Sequence, residues 1–209
     1  MHTPFVFVHG WAMSSDMWAG IYDAFQNNTQ LDLGFVGERY HADIMNTEKA
    51  IFVTHSLGTL YALRHHVDQM SALISINGFP SFKNFADVRT LRKMKAQLAR
   101  DPISQRQDFW NNCGLAGEPE GQANIARLEE GLDWLQEWDE TTALQNLRVP
   151  VLSLAGAQDR ITPIDAIKDV WANFELKVAE DGAHVLPVTH PAWCIEKIRT
   201  FIREHGLEK

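Results

Sequence analysis

At 209 residues, with 45% hydrophobic side chains that include seven Trp and eleven Phe, the chain is long enough to bury a core and too apolar to be disordered. Its 27 acidic against 19 basic residues give a formal net charge of −8, which disfavours nonspecific nucleic-acid binding. Two cysteines, Cys113 and Cys194, lie far apart without CxxC or Cys/His spacing, so no disulfide framework, metal site or cofactor is expected.

The first residues, Met1-His2-Thr3-Pro4, lack the basic start and long apolar stretch of a signal peptide. Nothing reaches the roughly 18 apolar residues of a membrane span, so a soluble cytoplasmic protein of one domain, 1–209, is expected. Phe5-Val6-Phe7-Val8 reads as a buried strand for the centre of a parallel sheet and runs into His9-Gly10-Trp11. Ser14-Ser15-Asp16 then offers a helix start, with Trp18, Ile21, Tyr22 and Phe25 on one face and Asn27-Asn28 closing it. A second strand is expected around Leu33-Gly34-Phe35-Val36, followed by a short link from Ala42 to Glu48.

The most informative stretch is Ile51 to Leu63. The β-branched run Ile51-Phe52-Val53 meets a small-residue corner, Thr54-His55-Ser56-Leu57-Gly58, and then Leu57, Leu60, Tyr61 and Leu63 at helical spacing. Strand, tight turn and helix in that order would lift the Ser56 hydroxyl off the sheet edge and leave backbone N–H groups free at the helix start. Thr54 stands where such an elbow usually carries Gly, a tighter fit. Read alone, the same stretch suits a strand ending at a serine N-cap.

After His65-His66, Ala72 to Ile76 reads as a strand stopped by Asn77-Gly78-Phe79-Pro80. From about 82 to 147 the sequence favours helix with no convincing strand, a cap or lid inserted into an α/β alternation. Beyond Arg148-Val149-Pro150 the alternation resumes: strand Val151 to Leu154, helix Ile164 to Trp171, strand Glu175 to Val178, and a last helix from Pro191 to Glu204. A mostly parallel sheet flanked by helices follows.

A serine hydroxyl needs a base to take its proton and an acid to orient that base. Asp159 stands in the loop after the Val151 strand, and His184 in Gly182-Ala183-His184 after the next. Each has a plain alternative, Asp159 as a cap for the helix near Pro163 and His184 as an idle loop histidine. All three at the ends of successive strands, with His9-Gly10 after the first, is the harder pattern to meet by chance.

In this order, Ser56, Asp159, His184, the chain resembles the α/β-hydrolases across nearly its whole length. Within them it is similar to the pimeloyl-acyl-carrier-protein methyl ester esterases of biotin synthesis. The residues carrying this are Val8-His9-Gly10-Trp11 with Met17-Trp18, Ser56-Leu57-Gly58, Leu128 to Leu135, Leu144 to Leu147, Val149 to Leu152, the Gly156-to-Pro163 loop and Gly182 to Pro191. The resemblance implies Ser56 as nucleophile, His184 as base, Asp159 as orienting carboxylate, and the N–H groups of Trp11 and Leu57 as oxyanion hole. Against that family the segment before the elbow is shorter than usual, which leaves both a full and a reduced core open. A general small-ester hydrolase, thioesterase or perhydrolase is the alternative, and a non-catalytic binding protein the second.

For the substrate side, Trp11, Phe79, Phe82, Phe109 and Trp110 are candidates for an apolar acyl channel, with Phe109 resembling a pocket residue of the family. Between Pro80 and Trp110 stand seven basic residues, including Arg89, Arg92, Lys93 and Arg100, against three acids. That surplus suits an acidic acyl carrier protein, or simply a solvated helix face.

Overall fold

Six parallel strands, β1 (Phe5–Val8), β2 (Asn28–Leu31), β3 (Ala50–His55), β4 (Met70–Ile76), β5 (Val151–Gly156) and β6 (Glu175–Ala179), lie in the order β2-β1-β3-β4-β5-β6. The computed structural model describes residues 3–37, 49–117 and 121–208. β1, β3 and β5 are buried along their whole length, as strands covered on both faces must be. The strand order reverses between β1 and β3, so the loops leaving their carboxyl ends diverge and open a crevice, the usual ligand position in an open α/β sheet. Trp11 follows β1 and Ser56 follows β3.

Helix α1 (Leu57–His65) leaves β3 directly. Four helices, α2 (Val88–Arg100), α3 (Pro102–Asn112), α4 (Ile125–Glu137) and α5 (Thr141–Asn146), separate β4 from β5 and form the cap. Their starts are written in the sequence. Asp87, Asp101 and Asn124 each accept a backbone N–H two or three residues into the next helix, and Pro102 occupies the first turn of α3. α2 packs on both α3 and α4. Helix α6 (Ile164–Val170) joins β5 to β6, and α7 (Leu186–Thr189) and α8 (Pro191–Glu204) close the chain, α8 burying Cys194, Ile198, Phe201 and Ile202 on one stripe.

The structure departs from the sequence expectation in three places. The helix expected from Ser14 is two 3₁₀ turns, Ser15–Trp18 and Tyr22–Ala24, closed by three-residue bonds such as Ile21 N–H to Trp18 O at 2.8 Å, while Asp32 Oδ2 takes the Ser15 N–H at 3.0 Å. The second strand is Asn28–Leu31, not Leu33 to Val36. Asp32 Oδ1 accepts the Gly34 N–H at 2.9 Å and Gly34 turns at φ +76°, ending the strand; Val36 makes only an isolated bridge to Ala123. The short α7 had no expectation. The link from Ala42 to Glu48 lies outside the described residues.

Candidate active site

Ser56 alone joins β3 to α1. Its backbone, at φ +52° and ψ −124°, is in a region that costs a non-glycine residue about 1–3 kcal/mol, and it is held there by its neighbours. Gly58 permits the turn: a β-carbon there would lie 2.4 Å from Val8 O and 2.6 Å from His9 O, so any side chain would push α1 off β1. Thr54 fits because its Oγ1 donates to Ile74 O at 3.2 Å and shares a 2.7 Å bond with Thr59 Oγ1. The crowding is passed to Gly78, where a β-carbon would stand 1.9 Å from Thr59 Oγ1.

Ser56 occupies the N-cap position of α1 but makes no capping bond. Its Oγ lies 3.0 Å from His184 Nε2, and His184 Nδ1 lies 2.7 Å from Asp159 Oδ2. The carboxylate fixes the tautomer: Nδ1–H donates to Asp159, leaving Nε2 to accept from the Ser56 hydroxyl. All three residues are buried. Asp159 is not a helix cap, since α6 has Pro163 at its N-cap; its Oδ1 accepts from the N–H groups of Ile161 (2.7 Å) and Thr162 (3.0 Å), and Oδ2 from Thr162 Oγ1 (2.5 Å). Burial pushes the Asp159 carboxyl up, but the His184 charge and these hydrogen bonds more than offset it, holding it below the usual carboxylate range.

Two further residues hold His184 from behind, and neither was legible as a site residue. Asn77, at φ +46° just past β4, donates through Nδ2 to Ala183 O (3.0 Å) and His184 O (2.5 Å) and accepts the Gly156 N–H at Oδ1 (2.8 Å). In the sequence it reads as a strand stop. His55 donates from Nε2 to the same His184 carbonyl at 3.0 Å, its ring 4.9 Å from the His184 ring. Burial, and then the His184 charge, lower the His55 pKa to about 3, so it is a neutral buried donor. A third missed residue, Asp32, is the lone charge in the apolar run Leu31 to Val36, which is the signal that could have revealed a buried, paired carboxylate.

Between sheet and cap lies a cavity of about 330 Å³ lined by Trp11, Ser56, Leu57, Phe79, Phe82 and Phe109, among others. Leu57 is the first residue of α1, where a backbone N–H has no intrahelical acceptor. Trp11 is 2% exposed, donates from Nε1 to Leu128 O of α4 at 2.9 Å and meets Phe109 of α3 edge-on at 4.8 Å, so the loop after β1 is locked to the cap. Trp110, by contrast, does not line the cavity; its Nε1 donates to Ala116 O at 3.3 Å. Successive helical residues point about 100° apart, so facing Phe109 inward turns Trp110 aside. Among the described residues no cluster of His, Cys, Asp and Glu side chains is placed to hold a metal ion.

Of the basic residues in the cap, Lys83 pairs with Asp139, Lys95 with Asp133, and Arg106 is buried with its guanidinium on Gly121 O. Arg89, Arg92, Lys93 and Arg100 are exposed on the outer face of α2, opposite Leu91, Met94 and Leu98, with no ion pair among the described residues. No helix among the described residues is long and apolar enough to cross a membrane.

A sequence model described as the alpha/beta hydrolase family matches residues 5–197. Among curated relatives, the chain is 28% identical to the pimeloyl-[acyl-carrier protein] methyl ester esterase of Vibrio vulnificus (strain CMCP6), over 88% of this chain and 82% of that protein. It is 26% identical to the protein of the same name from Pectobacterium carotovorum subsp. carotovorum (strain PC1), over 96% and 94%. Among solved structures, a bromoperoxidase from Bacillus anthracis superposes with a TM-score of 0.85 at 16% identity, covering 97% of this chain and 92% of that one. The esterase EaEST from Exiguobacterium antarcticum superposes with a TM-score of 0.81 at 16% identity, covering 97% and 93%. At such identities the two structures speak to the fold alone.

Proposed function

The chain belongs to the α/β-hydrolase family, and on that premise we propose that it is a serine carboxylesterase acting through an acyl-enzyme, its substrate the methyl ester of an acyl group, pimeloyl, held on an acyl carrier protein. The observation that carries the catalytic part is the continuous path Ser56 Oγ, His184 Nε2, His184 Nδ1, Asp159 Oδ2, with steps of 3.0 and 2.7 Å across the two hydrogen bonds. Ser56 Oγ attacks the ester carbonyl while His184 Nε2 takes its proton, and Asp159 stabilises the imidazolium. The N–H groups of Trp11 and Leu57 receive the oxyanion; each such donor typically supplies about 3–4 kcal/mol in the transition state. His184 returns the proton to the departing methoxide, methanol leaves, and water, activated by the same imidazole, releases the acid and regenerates Ser56.

The substrate assignment rests on the names of the relatives and on the basic stripe Arg89, Arg92, Lys93 and Arg100, without ion pairs among the described residues and complementary to an acidic carrier. In this reading 1–209 is one cytoplasmic hydrolase domain with its cap at about 82–147, and Phe79 and Phe109 bound the acyl site. Ser56→Ala should abolish hydrolysis of a short p-nitrophenyl ester; full activity in that variant would end the serine mechanism. Complementation of a biotin auxotroph lacking its esterase tests the substrate, and failure with an active, well-expressed enzyme would leave a general small-ester hydrolase.

A further inference from the structure

The cavity above Ser56 has two unlike sides. Phe79, Phe82, Leu91 and Met94 make one of them apolar. The other is a face of α3 carrying Gln105, Asp108, Phe109 and Asn112, whose spacing of three, four and seven residues aligns them toward the cavity. Asp108 and Asn112 are exposed at the solvent side, and Asp108 Oδ2 already accepts from Gln97 Nε2 at 3.1 Å. Gln105 differs from both: it is 5% exposed, and its amide makes no hydrogen bond to any described residue.

A primary amide brings two donors and an acceptor, and those of Gln105, without a protein partner among the described residues, open onto the cavity rather than into the core. Leu or Met would fill the same wall of an acyl pocket without leaving an amide unpaired, so packing gives no reason for Gln at this position. We infer that Gln105 is a specificity-determining residue that pairs with a hydrogen-bonding group, a secondary amide or its equivalent, in the acyl half of the ester on the carrier side of its methylenes. The amide donates to the ligand carbonyl and accepts from the ligand N–H, while the phenylalanine side takes the methylenes. This rests on the esterase reading above, in which the alcohol lost is methanol, too small to reach α3; the polar group must therefore lie in the acyl half. A site built around a hydrogen bond rejects the analogue that lacks it by far more than an apolar pocket discriminates one methylene, because the protein group is then left unpaired.

The test uses the intact enzyme and matched p-nitrophenyl esters. One set carries straight alkanoyl chains; the other replaces two adjacent methylenes by a secondary amide, placed at successive positions along the chain. At one position the wild-type kcat/KM should favour the amide ester at least tenfold, and Gln105→Leu and Gln105→Met should erase or reverse that preference. Equal rates for both sets at every position in the wild type would overturn the inference, and so would a folded Gln105→Met that keeps the preference. Should the Leu variant not fold, the wild-type comparison and the Met variant decide. Hydrolysis of neither set would count instead against the esterase reading, which separates the two failures.

Discussion

Among the described residues two buried Asp–His pairs stand at the carboxyl end of the sheet, and only one of them faces a serine hydroxyl. After β5 and β6, Asp159 Oδ2 meets His184 Nδ1 at 2.7 Å, and the far nitrogen of that ring faces a serine hydroxyl. After β1 and β2, Asp32 Oδ1 lies 3.2 Å from His9 Nε2, but that nitrogen accepts the Leu33 N–H at 2.8 Å while Nδ1–H donates to Gly10 O at 2.9 Å, so the His9 ring is spent on backbone. Burial would raise the Asp32 carboxyl, yet the N–H groups of Gly34 and Ser15 that donate to it favour the charged form, and it lies well below the usual range. An acid beside an imidazole is thus not a catalytic device in itself. In the first pair a ring nitrogen is left to face the Ser56 hydroxyl; in the second the contacts fasten the loop that carries Trp11.

The sharpest way to break this distinction is to neutralise each acid. Asp159→Asn should lower kcat by about 10⁴, by favouring the wrong His184 tautomer, with little loss of fold. Asp32→Asn should instead cost about 1–3 kcal/mol in urea unfolding, since the amide nitrogen cannot accept the Ser15 or Gly34 N–H in its turn. Comparable kcat losses from the two substitutions, measured on one ester, would erase the contrast.

A smaller effect is expected at the clamp behind His184. Asn77→Ala removes the bonds to Ala183 O, His184 O and Gly156 N–H together. We expect kcat to fall by about 10–100-fold with KM little changed, as for a base displaced by an ångström or less. Asn77→Gly, which tolerates the positive φ, separates backbone strain from the lost clamp, and activity equal to wild type in both would remove Asn77 from the account.

Smaller again is the carrier effect. Arg92→Glu with Lys93→Glu should raise KM for a carrier-bound ester several-fold at low salt and less at high salt, a loss confined to that substrate. Salt-independent kinetics in both proteins would leave the stripe as a solvated helix face.

The pH dependence of stability tests the histidine behind the first pair. His55 has its folded pKa lowered from 6.5 to about 3, so the unfolded chain binds the extra proton. Its contribution is therefore complete above pH 6.5 and is lost as pH falls toward 3. His65, also lowered by burial and by His66, acts in the same direction. Asp159, lowered as well, adds its loss only below the ordinary carboxylate range. His55→Asn should flatten the thermal-midpoint profile between pH 6 and 4; an unchanged slope would mean that His55 is not the neutral buried donor described.

The two pairs also show why part of the molecule was legible in sequence and part was not. Buried parallel strands leave unbroken apolar runs, so β1, β3 and β5 and the loops after them stand out, and Ser56 and Asp159 with them, whereas His184 follows the less buried edge strand β6 and was marked by its place in the order Ser56, Asp159, His184. β2 is an edge strand reading Asn28-Thr29-Gln30-Leu31, with no alternation to detect, and the apolar Leu33 to Val36 drew the expectation away from it. Asn77 and His55 escaped because their work is done on backbone atoms 79 to 129 residues away, which no local pattern encodes. Phe109 and Trp110 were both candidates for the channel in sequence, Phe109 set ahead only by resemblance; the rotation of α3 is what turns Phe109 to the cavity and Trp110 aside.

The central claim is that the pair after β5 and β6 activates Ser56, and one measurement addresses it directly: covalent labelling by a fluorophosphonate, with the modified peptide located by mass spectrometry. Stoichiometric label on Ser56 is expected in the wild type and in a folded Asp32→Asn, and a rate of labelling reduced by orders of magnitude in His184→Ala. Label on another serine, or labelling of Ser56 at the wild-type rate without His184, would contradict the account.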